Sequence, residues 1–168
     1  MTVPTTRNEI FDGALRLVQP AKGHRAGTDA VLLAASCPRQ GRVIADLGCG
    51  VGTVGLRAAQ VCPEARVLLI DNDETMLALA RENIDGNDLA ARCQAVRADV
   101  LDKGFAGGGS LADVRADVVL TNPPFAEAGQ GRASPVPLRA SAHVMAGTLD
   151  DWIKGATRLM TAEAELIV

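Results

Sequence analysis

Short, nearly unbroken apolar runs alternate along the chain with segments whose apolar residues recur at helical spacing. Arg42-Val-Ile-Ala-Asp-Leu47, Ala65-Arg-Val-Leu-Leu-Ile-Asp71, Cys93-Gln-Ala-Val-Arg-Ala98, Ala116-Asp-Val-Val-Leu-Thr121 and Glu163-Ala-Glu-Leu-Ile-Val168 each read as a strand. Continuous Val, Ile and Leu content marks strands covered on both faces, as in parallel sheets. Met76, Leu77, Leu79, Ala80 and Ile84 follow helical spacing from about Thr75, and Trp152, Ile153, Ala156, Leu159 and Met160 do so from about Leu149. Both stripes read as core, with no ligand role for Trp152 or the methionines. Upstream, alternation in Ala14-Leu-Arg-Leu-Val18 predicts a short strand, and Pro20-Ala-Lys-Gly23 predicts a turn into a second, making an N-terminal hairpin. Thr28 or Asp29 then caps a helix of about Ala30 to Ser36, which stops before Cys37-Pro38. The expected fold class is α/β with a doubly wound, mainly parallel sheet. Residues 1–41 form a hairpin-and-helix extension and 42–168 the core.

Length and composition narrow the picture. A chain of 168 residues suits one domain that buries about 70% of its unfolded surface. No apolar run approaches the ~20 residues of a spanning helix, and the first residues show no secretory signal. The expectation is a cytoplasmic protein with no membrane role. Cysteines at 37, 49, 62 and 93 lack zinc spacing, and His24 and His143 have no ligand-spaced partner, so reduced thiols and no metal are expected. Net charge is −3 but uneven: residues 1–45 carry +3, 46–103 carry −4 and 104–168 carry −2. A basic N-terminal face beside an acidic half fits a polyanion reaching a cationic ligand. The aromatics are Phe11, Phe105, Phe125 and Trp152, which is no platform for several stacked bases; one flipped base is what such a surface can hold.

Two motifs carry the chemistry. The strand ending at Leu47 runs into Gly48-Cys-Gly-Val-Gly52, where glycines permit a tight turn and close approach of backbone to ligand. Gly50-Val-Gly52-Thr-Val-Gly55 also matches the dinucleotide fingerprint, and Asp71, about 20 positions on, satisfies that reading too. The acid before the glycines separates the two readings: Asp46 repels a pyrophosphate and attracts a ligand carrying an ammonium and a sulfonium. The second motif is Asn122-Pro123-Pro124-Phe125, directly after a strand. The prolines hold Asn122 extended. The Asn122 side-chain oxygen and the Pro123 carbonyl, both aimed at the hydrogens of a planar amine, favour a pyramidal nitrogen with a free lone pair, and Phe125 is placed to stack on the base.

Taken in order, Asp46-Leu-Gly-Cys-Gly-Val-Gly52, Asp71, Asp99 and Asn122-Pro-Pro-Phe125 resemble class I S-adenosylmethionine-dependent methyltransferases of the amino-methylating kind, over about residues 42 to 168. The resemblance implies a Rossmann-like sheet, with Gly48, Gly50 and Gly52 under the cofactor and Asp46 beside it. It implies Asp71 on the ribose hydroxyls, Asp99 on the adenine amine of S-adenosylmethionine, and Asn122 between cofactor and acceptor. Gln19 to Leu33, and Gly131-Arg-Ala-Ser-Pro135 with Arg139 and Ala142-His143, are similar to the bacterial subfamily that methylates the adenine amine of valine tRNA beside the anticodon. That likeness makes RNA the expected partner. Arg25, Phe125, Arg132 and Arg139 are assigned to it, and the Gly-, Ser- and Pro-rich segment from Ala126 to Pro137 to a substrate gate. Gly104 to Ser110 reads as a plain connector.

Four alternatives differ in acceptor or class. Protein-glutamine methyltransferases share Asn-Pro-Pro but take Tyr fourth, whereas RNA guanine-amine enzymes also take Phe. A non-catalytic cofactor-binding module conflicts with the intact acids and Asn122 motif. A nicotinamide oxidoreductase conflicts with Asp46. Finally, the fold that the chain resembles continues for two more strands past the fifth. The expectation is a core lacking its last two strands, which either associates through its Glu165 to Val168 edge or is a fragment of a longer enzyme with lowered stability and weak or no turnover.

Overall fold

The computed structural model describes residues 3–22, 26–108, 111–123, 126–127, 144–145 and 148–168. Its centre is a parallel sheet made from the five apolar runs. They form β3 (Val43–Leu47), β4 (Arg66–Asp71), β5 (Cys93–Arg97), β6 (Ala116–Thr121) and β9 (Met160–Ile167), in the spatial order β5-β4-β3-β6-β9. The chain reverses direction of travel across the sheet between β5 and β6, so β3 lies at the switch point where open α/β sheets bind ligands beyond their carboxyl ends. Residues alternate between two packed faces. Ile44, Leu69, Val118 and Leu120 join one apolar cluster with Leu56 and Leu77, while Ala45, Leu47, Leu68, Ile70 and Val119 join another with Trp152 and Leu159.

Helices α1 (Thr28–Ala35), α2 (Thr53–Val61), α3 (Glu74–Gly86) and α4 (Leu149–Thr157) connect and cover these strands. Asp73 caps α3, accepting from Thr75 N at 2.8 Å. Thr148 and Asp151 cap α4 reciprocally. Helix α1 begins two residues before the predicted start, on Gly27, and no side chain caps it; Thr28 and Asp29 lie inside its first turn.

The N-terminal hairpin is present, but its turn is not at Pro20 to Gly23. Strands β1 (Thr5–Ile10) and β2 (Leu15–Pro20) pair antiparallel, with Ile10 opposite Leu15, across a turn at Phe11, Asp12 and Gly13. All three turn residues have positive φ, 54°, 56° and 83°, so Asp12-Gly13 is the operative signal. Leu15, Leu17 and Leu33 share the cluster that holds Ile44 and Leu56, and Arg57 lies over the Phe11 ring, 4.9 Å from its centroid. The two-residue strands β7 (Ala126–Glu127) and β8 (Val144–Met145) pair in parallel.

Two further boundaries moved. β9 starts at Met160, three residues before the predicted strand, because α4 ends at Thr157 and fully buried Leu159 turns the chain back into the sheet. The connector after β5 contains a 3-10 turn at Phe105–Gly107 whose Phe105 and Ala106 are buried in the second cluster. Among the described residues no helix is long and apolar enough to cross a membrane.

Candidate functional site

The glycine loop and its acids

Gly48, Gly50 and Gly52 take φ of 69°, 54° and 90°, a left-handed series that other residues adopt only under strain. The turn is stitched to the neighbouring strand: Gly48 N and Cys49 N both donate to Ile70 O, at 2.8 and 3.0 Å, and Gly50 N donates to Asp71 Oδ2 at 2.8 Å. The other oxygen of Asp71 accepts from Asp73 N at 2.9 Å. Asp71 is half-buried at the end of β4. Burial raises its carboxyl above the usual range, against the N–H bonds from Asp73 and Gly50.

Asp46 lies beneath the loop, only 2% exposed. Its Oδ2 accepts from Gly55 N at 2.8 Å, in the first turn of α2. Burial pushes this carboxyl up to about 7, opposed by the Gly55 bond and aided by the charge of Asp71. Gly55 must be small, since a Cβ there would meet Leu69 Cδ2 at 2.1 Å and Asp46 at 3.1 Å. The third glycine of the Gly50-to-Gly55 pattern therefore serves close helix-to-sheet packing.

Asp99 follows β5 and is exposed. Its Oδ1 accepts from Leu101 N at 2.9 Å, and Asn72 Nδ2 donates to its Oδ2 at 3.5 Å. With Asp102 and Phe105 it lines a cleft of about 450 Å³ along β5. Asp46, Asp71 and Asp99 thus stand at or beside the carboxyl ends of three adjacent strands, β3, β4 and β5. A left-handed glycine turn with a carboxylate at each of these strand ends fits a ligand that brings positive charge and sugar hydroxyls.

The Asn122 motif

Leu47 pairs with Thr121 across β3 and β6, so Asn122 leaves the sheet directly beside Gly48. Asn122 is half-buried and Pro123 buried. Thr121, fully buried, donates its hydroxyl to Leu47 O at 2.9 Å and accepts from Trp152 Nε1 at 2.9 Å. Pro124 and Phe125 lie outside the described residues, as do His24, Arg25, Arg132, Arg139, His143 and, apart from Ala126–Glu127, the proposed gate. The structure therefore brings Asp46, Gly48, Gly50, Gly52, Asp71, Asp99, Asn122 and Pro123 to one end of the sheet.

Thr121, Trp152 and Asn83 were missed from the sequence. Asn83 is 1% exposed on the core face of α3, and a polar residue at an apolar-stripe position was the available signal. Trp152 does pack in the core as expected, but a buried indole N–H calls for a partner. All four cysteines are buried and free. Among the described residues no group of three or more His, Cys, Asp or Glu is placed to hold a metal.

Similarity to known proteins

The family described as "Methyltransferase small domain" matches residues 25–167. Ribosomal RNA large subunit methyltransferase G of Pseudoalteromonas atlantica is 37% identical over 97 residues, covering 56% of this chain and 25% of that protein. The chain thus spans about a quarter of the length of this curated relative. Among solved structures, Pyrococcus abyssi Trm5b aligns with a TM-score of 0.61 at 14% identity, over 99% of this chain and 40% of that one. Pyrococcus horikoshii TYW2, in complex with MeSAdo, aligns with a TM-score of 0.52 at 21% identity, over 68% and 41%. These two likenesses concern the fold. The chain belongs to the methyltransferase small domain family.

Proposed function

With membership of the methyltransferase small domain family as premise, we propose that this chain methylates an exocyclic amine of adenine in RNA. The observation that supports this reading is the Leu47–Thr121 pairing, which sets Asn122 beside Gly48; on this reading its amide holds the acceptor and the glycine turn holds the cofactor. Bound S-adenosylmethionine supplies a methyl group already activated by its sulfonium. The residues of the chain do the positioning. Asp71 holds ribose hydroxyls with the lone pairs left after its Gly50 and Asp73 bonds, Asp99 holds the adenine amine of the cofactor, and Asp46 beneath the loop favours its positive charge. Asn122 Oδ1 and the Pro123 carbonyl accept from the two hydrogens of the substrate amine, turning its lone pair toward the methyl group. Phe125 stacks on the base. Alignment of this kind supplies most of the acceleration. The proton leaves to water after transfer, and no strong base is needed.

On this reading residues 1–41 form the substrate-side extension and 42–168 the cofactor core, with Arg25, Arg132 and Arg139 on RNA phosphates. The resemblance of Gln19 to Leu33 supports tRNA near the anticodon as substrate. A second reading is favoured by the Pseudoalteromonas relative, whose name specifies ribosomal RNA: a large-subunit RNA acceptor, with a guanine amine in the same grip. Labelled methyl transfer to unmodified tRNA and ribosomal RNA separates the two. Asn122→Ala tests what they share. It should lower turnover about 10²-fold or more, as loss of one preorganised polar group does, while S-adenosylhomocysteine affinity stays near wild type. Turnover within a few-fold of wild type would refute the amine-holding role.

A further inference from the structure

Thr121 and Trp152 belong to neither the cofactor set nor the acceptor set, and they join the two. Thr121 is the last residue of β6, one peptide before Asn122. Its hydroxyl is spent in both directions, donating to Leu47 O at the entrance of the glycine loop and accepting from the indole N–H of Trp152. The indole, 8% exposed, also lies against the loop itself: a Cβ on Gly48 would stand 3.3 Å from Cζ2 and 3.4 Å from Cη2 of the ring. One side chain of α4 therefore fills the space beside the first residue of the glycine turn with its carbon edge and bonds the strand end before Asn122 with its nitrogen.

The surroundings make the polar link informative. Trp152 sits in a cluster otherwise built of Leu47, Ile70, Val119, Leu159 and similar residues. Filling that space needs only a ring. A buried hydroxyl and indole N–H in such a place are retained at a cost unless each has its partner, and here each has one. Placement errors of about 1 Å in a reacting pair lower rates by about 10²-fold, so the separation between turn and strand end matters.

We propose that Thr121 and Trp152 are a positioning pair that sets the spacing between the floor of the glycine turn and Asn122, so that cofactor binding is transmitted to the acceptor side. The inference deepens the reading of Asn122 as the amine-holding residue and rests on it.

The chain has one tryptophan and hence a single indole N–H resonance, which gives a readout independent of turnover. In the full chain, saturation with S-adenosylhomocysteine should shift that resonance and the Asn122 backbone amide together. Thr121→Val keeps the shape and removes the hydroxyl. It should move the Asn122 amide and speed indole N–H exchange at least tenfold, and Thr121→Ser should restore both. Trp152→Phe, which keeps a ring without the N–H, guards against a Val variant that fails to fold; its Asn122 amide should move as well. In methyl transfer to tRNA or ribosomal RNA transcripts, Thr121→Val and Trp152→Phe should lose about tenfold in kcat while KM for S-adenosylmethionine changes less than threefold. An Asn122 amide indifferent to Thr121→Val and Trp152→Phe would overturn the inference. So would wild-type kcat in both variants alongside an inactive Asn122→Ala. Full turnover in Asn122→Ala would instead refute the reading on which the inference rests.

Discussion

Asn83, buried on α3, holds Val51 of the glycine turn through a 2.9 Å bond from Nδ2 to the Val51 carbonyl. The same amide completes a pair with the hairpin: Nδ2 donates to Val18 O at 2.9 Å and Oδ1 accepts from Val18 N at 2.6 Å. One turn on, Asn87 repeats the pairing with Arg16 N and O, at 2.9 and 2.7 Å. Two amides four residues apart, one near the end of α3 and one at its C-terminal cap, thus imitate a strand along β2, and the first of them continues to the glycine turn.

Asn83→Leu keeps the volume and leaves three backbone groups without their partner. Stranded buried groups cost about 1–3 kcal/mol each, so a loss of at least that size is expected in urea unfolding, with weaker S-adenosylhomocysteine binding as Val51 is released. Asn83→Asp should be worse, since a carboxylate oxygen would face two carbonyls. An unchanged urea midpoint in Asn83→Leu would mean that Leu15, Leu17 and the Asn87–Arg16 pair dock the hairpin without Asn83.

Asp71→Ala removes the acceptor of Gly50 N and Asp73 N along with the proposed ribose contact. Charge-assisted hydrogen bonds are worth about 1.5–3 kcal/mol, or roughly a ten- to hundredfold weaker complex with S-adenosylhomocysteine by calorimetry. An unaltered dissociation constant would remove Asp71 from the cofactor site.

Sequence legibility divides along the range of the interactions. Glycine turns, strand runs and strand-end acids are local, so Gly48 to Gly52, Asp71 and Asn122 could be read from spacing. The hairpin existed in the pattern of Ala14 to Val18, but its other strand is Thr-Thr-Arg-Asn-Glu-Ile, whose residues alternate between exposed and half-buried and give no apolar run. The apolar pattern therefore points to a turn on the wrong side of β2. The links of Asn83 to Val51, 32 residues apart, and of Trp152 to Thr121, 31 apart, leave no local trace beyond a polar atom in an apolar stripe. The same holds for which face Asp46 takes: strand parity turns it under the loop toward Gly55, something no spacing rule states.

Asp46 makes stability depend on pH. Its carboxyl is pushed from 3.8 up to about 7 by burial, so the folded chain holds this proton more tightly than the unfolded one. The stabilisation is full below about pH 4 and is lost as pH rises through about 7. Asp46→Asn keeps an acceptor for Gly55 N and cannot ionise. The expected result is a wild-type unfolding free energy that falls between pH 5 and pH 8 relative to Asp46→Asn, by an amount on the order of a few kcal/mol. Asp71, also raised, acts in the same direction and is present in both proteins. Parallel curves would place the Asp46 proton elsewhere.

Gly155 and Gly86 predict opposite outcomes for the same substitution. Alanine is favoured over glycine inside a helix by about 1 kcal/mol, and at Gly86, the last residue of α3, a Cβ would meet nothing within 4 Å. Gly86→Ala should raise Tm slightly. At Gly155 on α4 a Cβ would come within 2.3 Å of the Val100 carbonyl oxygen and 2.7 Å of Val100 Cγ1, and a backbone oxygen cannot rotate away. The helix must lift from the segment that follows Asp99, taking with it Trp152, one turn earlier, and its contacts to Thr121 and Gly48. Overpacking of this kind costs about 1–3 kcal/mol, which exceeds or cancels the helix gain, and at about 2–4 °C per kcal/mol Gly155→Ala should melt several degrees below Gly86→Ala. Affinity for S-adenosylhomocysteine should fall in Gly155→Ala alone, since only there do Asp99 and the glycine turn move. Equal Tm and equal affinity in the two variants would show that α4 can shift without disturbing the site.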